Sequence, residues 1–161
     1  MKQLTSEKYV WTEEDFGQMG WHDNTLYAIA ILPDKYQLML DIDYIFRWID
    51  PLESGSFFTF LLSPSTLIFE NVHGLSIDIS EPFRPIQIQS IERFNPKPPP
   101  NADQIIRNTE WEWTIDLEVG VIRFESVGYK QYTRETPAIF SSQSIDFEKR
   151  GGISFSTSTP L

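Results

Sequence analysis

Tyr36, Leu38, Leu40, Ile42 and Tyr44 hold every second position of one short run, and the same spacing returns in Leu75, Ile77 and Ile79 and in Trp111, Trp113, Ile115 and Leu117. A period of two places such side chains on one face of a half-buried strand, whereas a helical face repeats about every 3.6 residues. Further short runs of β-branched and aromatic residues lie between clusters of Gly, Pro, Asn and Asp, which break strands and shape turns. Strands are expected over residues 25–32, 36–45, 57–62, 66–71, 75–79, 86–93, 111–117, 121–126 and 129–134, with a weaker one at 153–156.

Pro33-Asp34-Lys35, Val72-His73-Gly74, Glu118-Val119-Gly120 and Val127-Gly128 read as hairpin turns between successive strands. Consecutive hairpins without intervening helices predict a mainly β chain, a single-domain antiparallel meander of about nine to ten strands folded into a β-sandwich or a partly open barrel. That domain takes in residues 1–161. Helix is restricted to one or two short pieces. In the N-terminal segment 1–20, Thr12 stands three residues before Asp15 as an N-cap would, and Gly17 and Gly20 stop the helix within a turn or two. Residues 101–108 are a weaker helical candidate, with Asn101 as cap and Ile105 and Ile106 as anchors. Residues 95–110 open on Asn95-Pro96-Lys97-Pro98-Pro99-Pro100-Asn101, whose prolines cannot donate ladder hydrogen bonds and therefore predict a loop.

An aromatic content of 14% supplies ample material for one core without covalent staples. The absence of cysteine excludes disulfides, thiolate metal sites and a thiol nucleophile, and favours a reducing compartment. The opening Met1-Lys2-Gln3-Leu4-Thr5-Ser6-Glu7-Lys8 lacks the apolar run of a secretory signal, and no stretch is apolar enough to span a membrane as a helix. A soluble cytoplasmic protein is expected. Its formal charge of −10 argues against binding nucleic acid and suits a basic protein partner. The acidity is uneven, with 12 acids against 4 bases in residues 1–80 and 11 against 9 in residues 81–161.

Few residues suggest chemistry. There is no Gly-x-Ser-x-Gly elbow, no P-loop and no dinucleotide-binding glycine pattern, so no catalytic residue, metal or cofactor is assigned. Met19-Gly20-Trp21-His22-Asp23-Asn24 sets the first of two histidines beside a carboxylate, a pairing able to act as general base or metal ligand. On an extended chain the two would point to opposite faces, which favours a structural turn. Asp41 and Asp43 share one strand face, about 7 Å apart, opposite to Leu40 and Ile42. They are expected to face solvent. Trp21, His22, Asp23, Asp41 and Asp43 are the candidate binding residues. His73 reads as an exposed turn residue, and Gly151-Gly152 after Lys149-Arg150 as a bend into the final strand. An exposed tryptophan among Trp11, Trp21, Trp48 and Trp111 would mark a contact surface, since tryptophan is enriched at binding hot spots.

Trp21-His22-Asp23, then Leu26-Tyr27-Ala28-Ile29, Leu38-Met39-Leu40-Asp41-Ile42-Asp43 and Leu67-Ile68-Phe69-Glu70-Asn71-Val72 with Leu75-Ser76-Ile77, follow one another in an order that resembles a group of small bacterial β-rich proteins. Those proteins open on a His-Asp element and continue as a β-meander, and more distantly the group is similar to immunity proteins of polymorphic toxin systems, such as the immunity protein 50 family. The likeness runs from Trp21 to Ile79 and loosely through residues 113–131. It implies a non-enzymatic cytoplasmic protein-binding module that neutralises a toxin. Two other readings stand beside it: a metal-dependent or hydrolytic enzyme using His22, Asp23, Asp41 and Asp43, and a homodimer assembled through an open sheet edge.

Overall fold

The structure, a computed structural model, describes residues 8–80 and 83–160. Residues 1–7, which carry most of the opening segment, lie outside the described residues.

The described residues form ten strands: β1 (Val10–Thr12), β2 (Thr25–Leu32), β3 (Gln37–Ile49), β4 (Thr59–Glu70), β5 (His73–Ile79), β6 (Ile86–Lys97), β7 (Glu110–Leu117), β8 (Gly120–Ser126), β9 (Gly128–Thr133) and β10 (Ala138–Phe140). All pairings are antiparallel, and the order β1-β9-β4-β3-β2-β6-β7-β8-β5 makes one open sheet, with β10 beside the far end of β4. The sheet folds over at its narrowest join. There β2 and β6 pair only at Thr25↔Gln87 and Leu26↔Ile86.

The two halves pack face to face around one core. Leu38, Leu40, Ile42, Tyr44, Leu67 and Phe69 from one half share a cluster with Ile88, Trp113, Ile115, Ile122 and Phe124 from the other. Phe69 alone meets Trp113 at 5.1 Å and Phe124 at 4.6 Å between ring centroids, both edge-on. Such edge-to-face packing is favourable beyond the area it buries. The outcome is the mainly β antiparallel fold expected from the alternating runs, built from a single sheet that is not closed.

Three local expectations change. Residues 57–62 and 66–71 belong to one strand, because β3 is long enough to pair with β4 along its whole length. Pro64 fits inside it for a specific reason. Its carbonyl accepts from the Arg134 amide, so the N–H it lacks would point the same way, toward the gap between β10 at residues 60–62 and β9 at residues 65–70. The links expected at Val72-His73-Gly74 and Val127-Gly128 do not join hairpin partners. β4 pairs with β9 and β5 with β8, so both links carry the chain from one layer to the other. Tyr36 leaves the core face: it adopts a left-handed conformation (φ 53°) at the end of the 3-10 turn Pro33–Lys35 and lies 64% exposed.

The helical expectations divide. Thr12 caps a 3-10 turn over Glu13–Gln18, where its backbone N–H donates to Asp15 Oδ2 at 2.9 Å. Residues 101–108 form no helix: 101–106 are turns and a bend, and 107–108 are irregular. The strand β6 runs into the proline segment as far as Lys97, and the remaining loop is tied to the end of β4 by a reciprocal amide pair between Asn71 and Asn101. Residues 153–156 add no strand. They belong to a C-terminal strap, residues 141–160, that crosses the outer face of β3.

Candidate functional site

Trp21 is only 3% exposed, with its indole N–H donating to Gln131 Oε1 at 2.9 Å and its ring edge-on to Tyr44 and Tyr129. It is core, not contact surface. His22, by contrast, is exposed over 70% of its side chain, with Nδ1 3.1 Å from the Gln89 carbonyl. Asp23 has φ 65°, a left-handed turn conformation that short polar residues tolerate. That turn brings Asp23 Oδ2 to 3.5 Å from His22 Nε2, so the two side chains do meet, contrary to the expectation for an extended chain. Asp23 also accepts from Gln143 Nε2 at 3.0 Å, which ties it to the strap.

Asp41 and Asp43 do lie opposite to Leu40 and Ile42, but that face is sealed and both residues are fully buried. Arg150, from the strap, donates Nη1 and Nη2 to the two Asp41 oxygens at 2.9 and 2.8 Å and Nε to Asp43 Oδ1 at 3.0 Å. Asp43 Oδ2 receives the Tyr27 hydroxyl at 2.7 Å and the Ile145 amide at 2.8 Å, while Asp41 Oδ2 also receives the Ser154 amide at 3.0 Å. Arg134 Nη2 stands 2.9 Å from Asp41 Oδ1 as a second ion-pair partner. Two carboxylates thus face two guanidiniums, with their oxygens occupied by donors, and buried charge is tolerated on those terms. This is a clasp for the strap. It offers His22 no carboxylate with which to bind a metal.

The surface beside His22 has a different character. Its ring stacks on Trp48 with centroids 6.5 Å apart and planes at 17°. Trp48 is 39% exposed and meets Phe58 and Phe60 edge-on at 6.3 and 5.1 Å. The loop joining β3 to β4, residues 50–58, adds exposed Leu52 and Phe57 together with the exposed acids Asp50 and Glu53. Of the other tryptophans singled out from the sequence, Trp11 and Trp21 are buried and Trp111 is partly buried.

A second polar cluster arises where β5, β7 and β8 adjoin. His73 Nε2 lies 2.8 Å from Glu110 Oε2 and His73 Nδ1 3.0 Å from Glu125 Oε2. Lys97 Nζ stands 2.6 Å from Glu125 Oε1, and this contact holds the Glu125 carboxyl below the usual carboxylate range. The sequence reading of His73 as a plain turn residue missed the group, because Glu110 and Glu125 are 37 or more residues away along the chain. No local sequence signal could have found it: the pairing of β5 with β8, which places Glu125 directly across from His73, exists only in the folded chain.

No family model matches the chain, and no curated protein or solved structure matches it. Its chemistry must therefore be read from its own side chains. A flat aromatic surface rimmed by acids suits contact with another protein, while a His-Glu-Glu group suits charge pairing or a cation.

Proposed function

We propose that this chain is a non-enzymatic, cytoplasmic protein-binding module that engages a basic protein through the exposed end of the β3–β4 hairpin, in the manner of a toxin-neutralising immunity protein. The observation that carries the reading is Trp48, left 39% exposed in a row with His22 and Phe58 on a sheet that buries most of its other aromatics. Half-exposed aromatics on a rigid hairpin can anchor a partner with little ordering cost. The net charge of −10, with Asp50 and Glu53 on the same loop, would speed encounter with a basic surface and disfavour acidic competitors.

The test compares the wild-type chain with a Trp48→Ala/Phe58→Ala variant whose circular dichroism is unchanged. Each is used to capture partners from cells of the source organism at low and raised salt. A basic polypeptide held by wild type, lost from the variant and weakened by salt supports the surface, and relief of that polypeptide's toxicity by co-expression supports the immunity role. Equal capture by both chains would sink the surface. A captured polypeptide that is harmless when expressed alone would sink the immunity role.

A further inference from the structure

We propose that His73, Glu110 and Glu125 form a binding site for a divalent transition-metal ion, with Zn²⁺ the best match to one imidazole and two carboxylates. The three side chains come from β5, β7 and β8, neighbours in the sheet, and one ligand atom from each lies within 4.8 Å of the others. Tetrahedral ligands at about 2.1 Å from zinc stand about 3.4 Å apart, so small side-chain rotations suffice to close the set.

Glu110 supplies the independent sign that an ion belongs here. Its side chain is fully buried, and while Oε2 meets His73, Oε1 has no hydrogen-bond partner. The nearest cation, Lys97 Nζ, remains 3.9 Å away from Oε1, beyond hydrogen-bond reach. A buried carboxylate oxygen without a donor is strongly unfavourable, and native proteins resolve such groups with a water or an ion. A doubly charged cation would balance both carboxylates. Lys97, 2.6 Å from Glu125 Oε1, would hold that carboxylate in orientation while Oε2 remains turned toward His73, as outer-shell partners do at metal sites.

Access is also present. The side chains of His73 and Glu125 are 38% and 24% exposed, which opens the group to an ion from solvent and leaves room for water as a further ligand. A ring nitrogen of His73 would give its lone pair to the ion, as imidazole does at zinc sites. The site shares no residue with the Trp48 surface, so either proposal can fail alone.

Isothermal titration with Zn²⁺ as its only added metal tests the site on chelator-treated full-length protein. The expected result is one Zn²⁺ per chain and a raised melting temperature. Binding should be lost in His73→Ala and Glu125→Gln, and Lys97→Met should weaken it about tenfold. His22→Ala, which removes the other histidine, should bind Zn²⁺ as wild type does. No heat of binding at about 1 mM Zn²⁺, or undiminished binding by His73→Ala, overturns the site. Since His73 is partly exposed, its variant keeps the test decisive even where Glu110→Gln fails to fold.

Discussion

Arg150 ties the C-terminal strap to β3. Its guanidinium lies 3.7 Å from the Tyr27 ring centroid while it binds Asp41, Asp43 and the carbonyls of Ile42 and Gly152. Removing it leaves Asp41 with Arg134 as its one cationic partner and Asp43 with none among the described residues, although the Tyr27 hydroxyl and the Ile145 and Ser154 amides still donate to them. Arg150→Met is therefore expected to lose about 3–5 kcal/mol of stability in urea denaturation, the range for breaking one side of a buried ion pair. Adding Asp41→Asn and Asp43→Asn to that variant should restore part of the loss, because the stranded charges go with the substitution. No restoration would mean that Arg150 acts through packing alone. Alternation placed Asp41 and Asp43 on the correct face, but “opposite to the core” was equated with “in water”. The covering partner stands 109 residues from Asp41, and no local pattern announces it.

At the scale of elements, the long β3–β4 hairpin does two jobs. Its middle carries Asp41 and Asp43 of the clasp and part of the core, and its far end presents Trp48 and Phe58. The strands themselves were legible because a half-buried sheet demands alternation. Their partners were less so. Val127-Gly128 and Val72-His73-Gly74 have the composition of hairpin turns, but turn chemistry records only that the chain changes direction, not which strand receives it. Gly120 illustrates a constraint that comes from another element: a Cβ there would sit 1.9 Å from the Asp78 carbonyl oxygen of β5. Gly120→Ala should push β5 off β8 at a cost of about 1–3 kcal/mol, the range for overpacking. Hydrogen exchange is the check, with faster exchange at Ile77 and Ile79 and little change in β3. Uniform acceleration across the sheet would contradict a local clash.

For the whole molecule, the join between the halves is two residue pairs wide, yet the core is common to both. The halves should therefore unfold together. Buried tyrosines give a way to see it. Burial raises the Tyr27, Tyr44 and Tyr129 hydroxyls well above the ordinary tyrosine range, and the Asp43 carboxylate adds to the effect at Tyr27. In the unfolded chain the same phenols ionise near about pH 10. Because the folded values are the higher ones, stability is intact below that pH and falls as pH rises through them. An alkaline titration should show these three of the six tyrosines becoming phenolate only as far-ultraviolet circular dichroism is lost, in one coincident transition. Their ionisation ahead of unfolding would contradict the packing, and two separated transitions would show that the layers fold independently.

Period-two patterning determined most of the strands, the inward face of β3 and β7 apart from Tyr36, and the mainly β class, since each of these depends on neighbours a few residues apart. The N-cap at Thr12 and the turn at Pro33-Asp34-Lys35 were legible for the same reason. Strand order, the two layer crossings, the burial of Asp41 and Asp43 under Arg150, the meeting of His73 with Glu110 and Glu125, and the exposure of Trp48 belong to the folded chain alone. Each depends on contacts between distant segments, and both charge pairing and burial are properties of what covers a residue in space. Sequence alternation says which side of the sheet a residue takes; only the folded molecule says whether that side is wet.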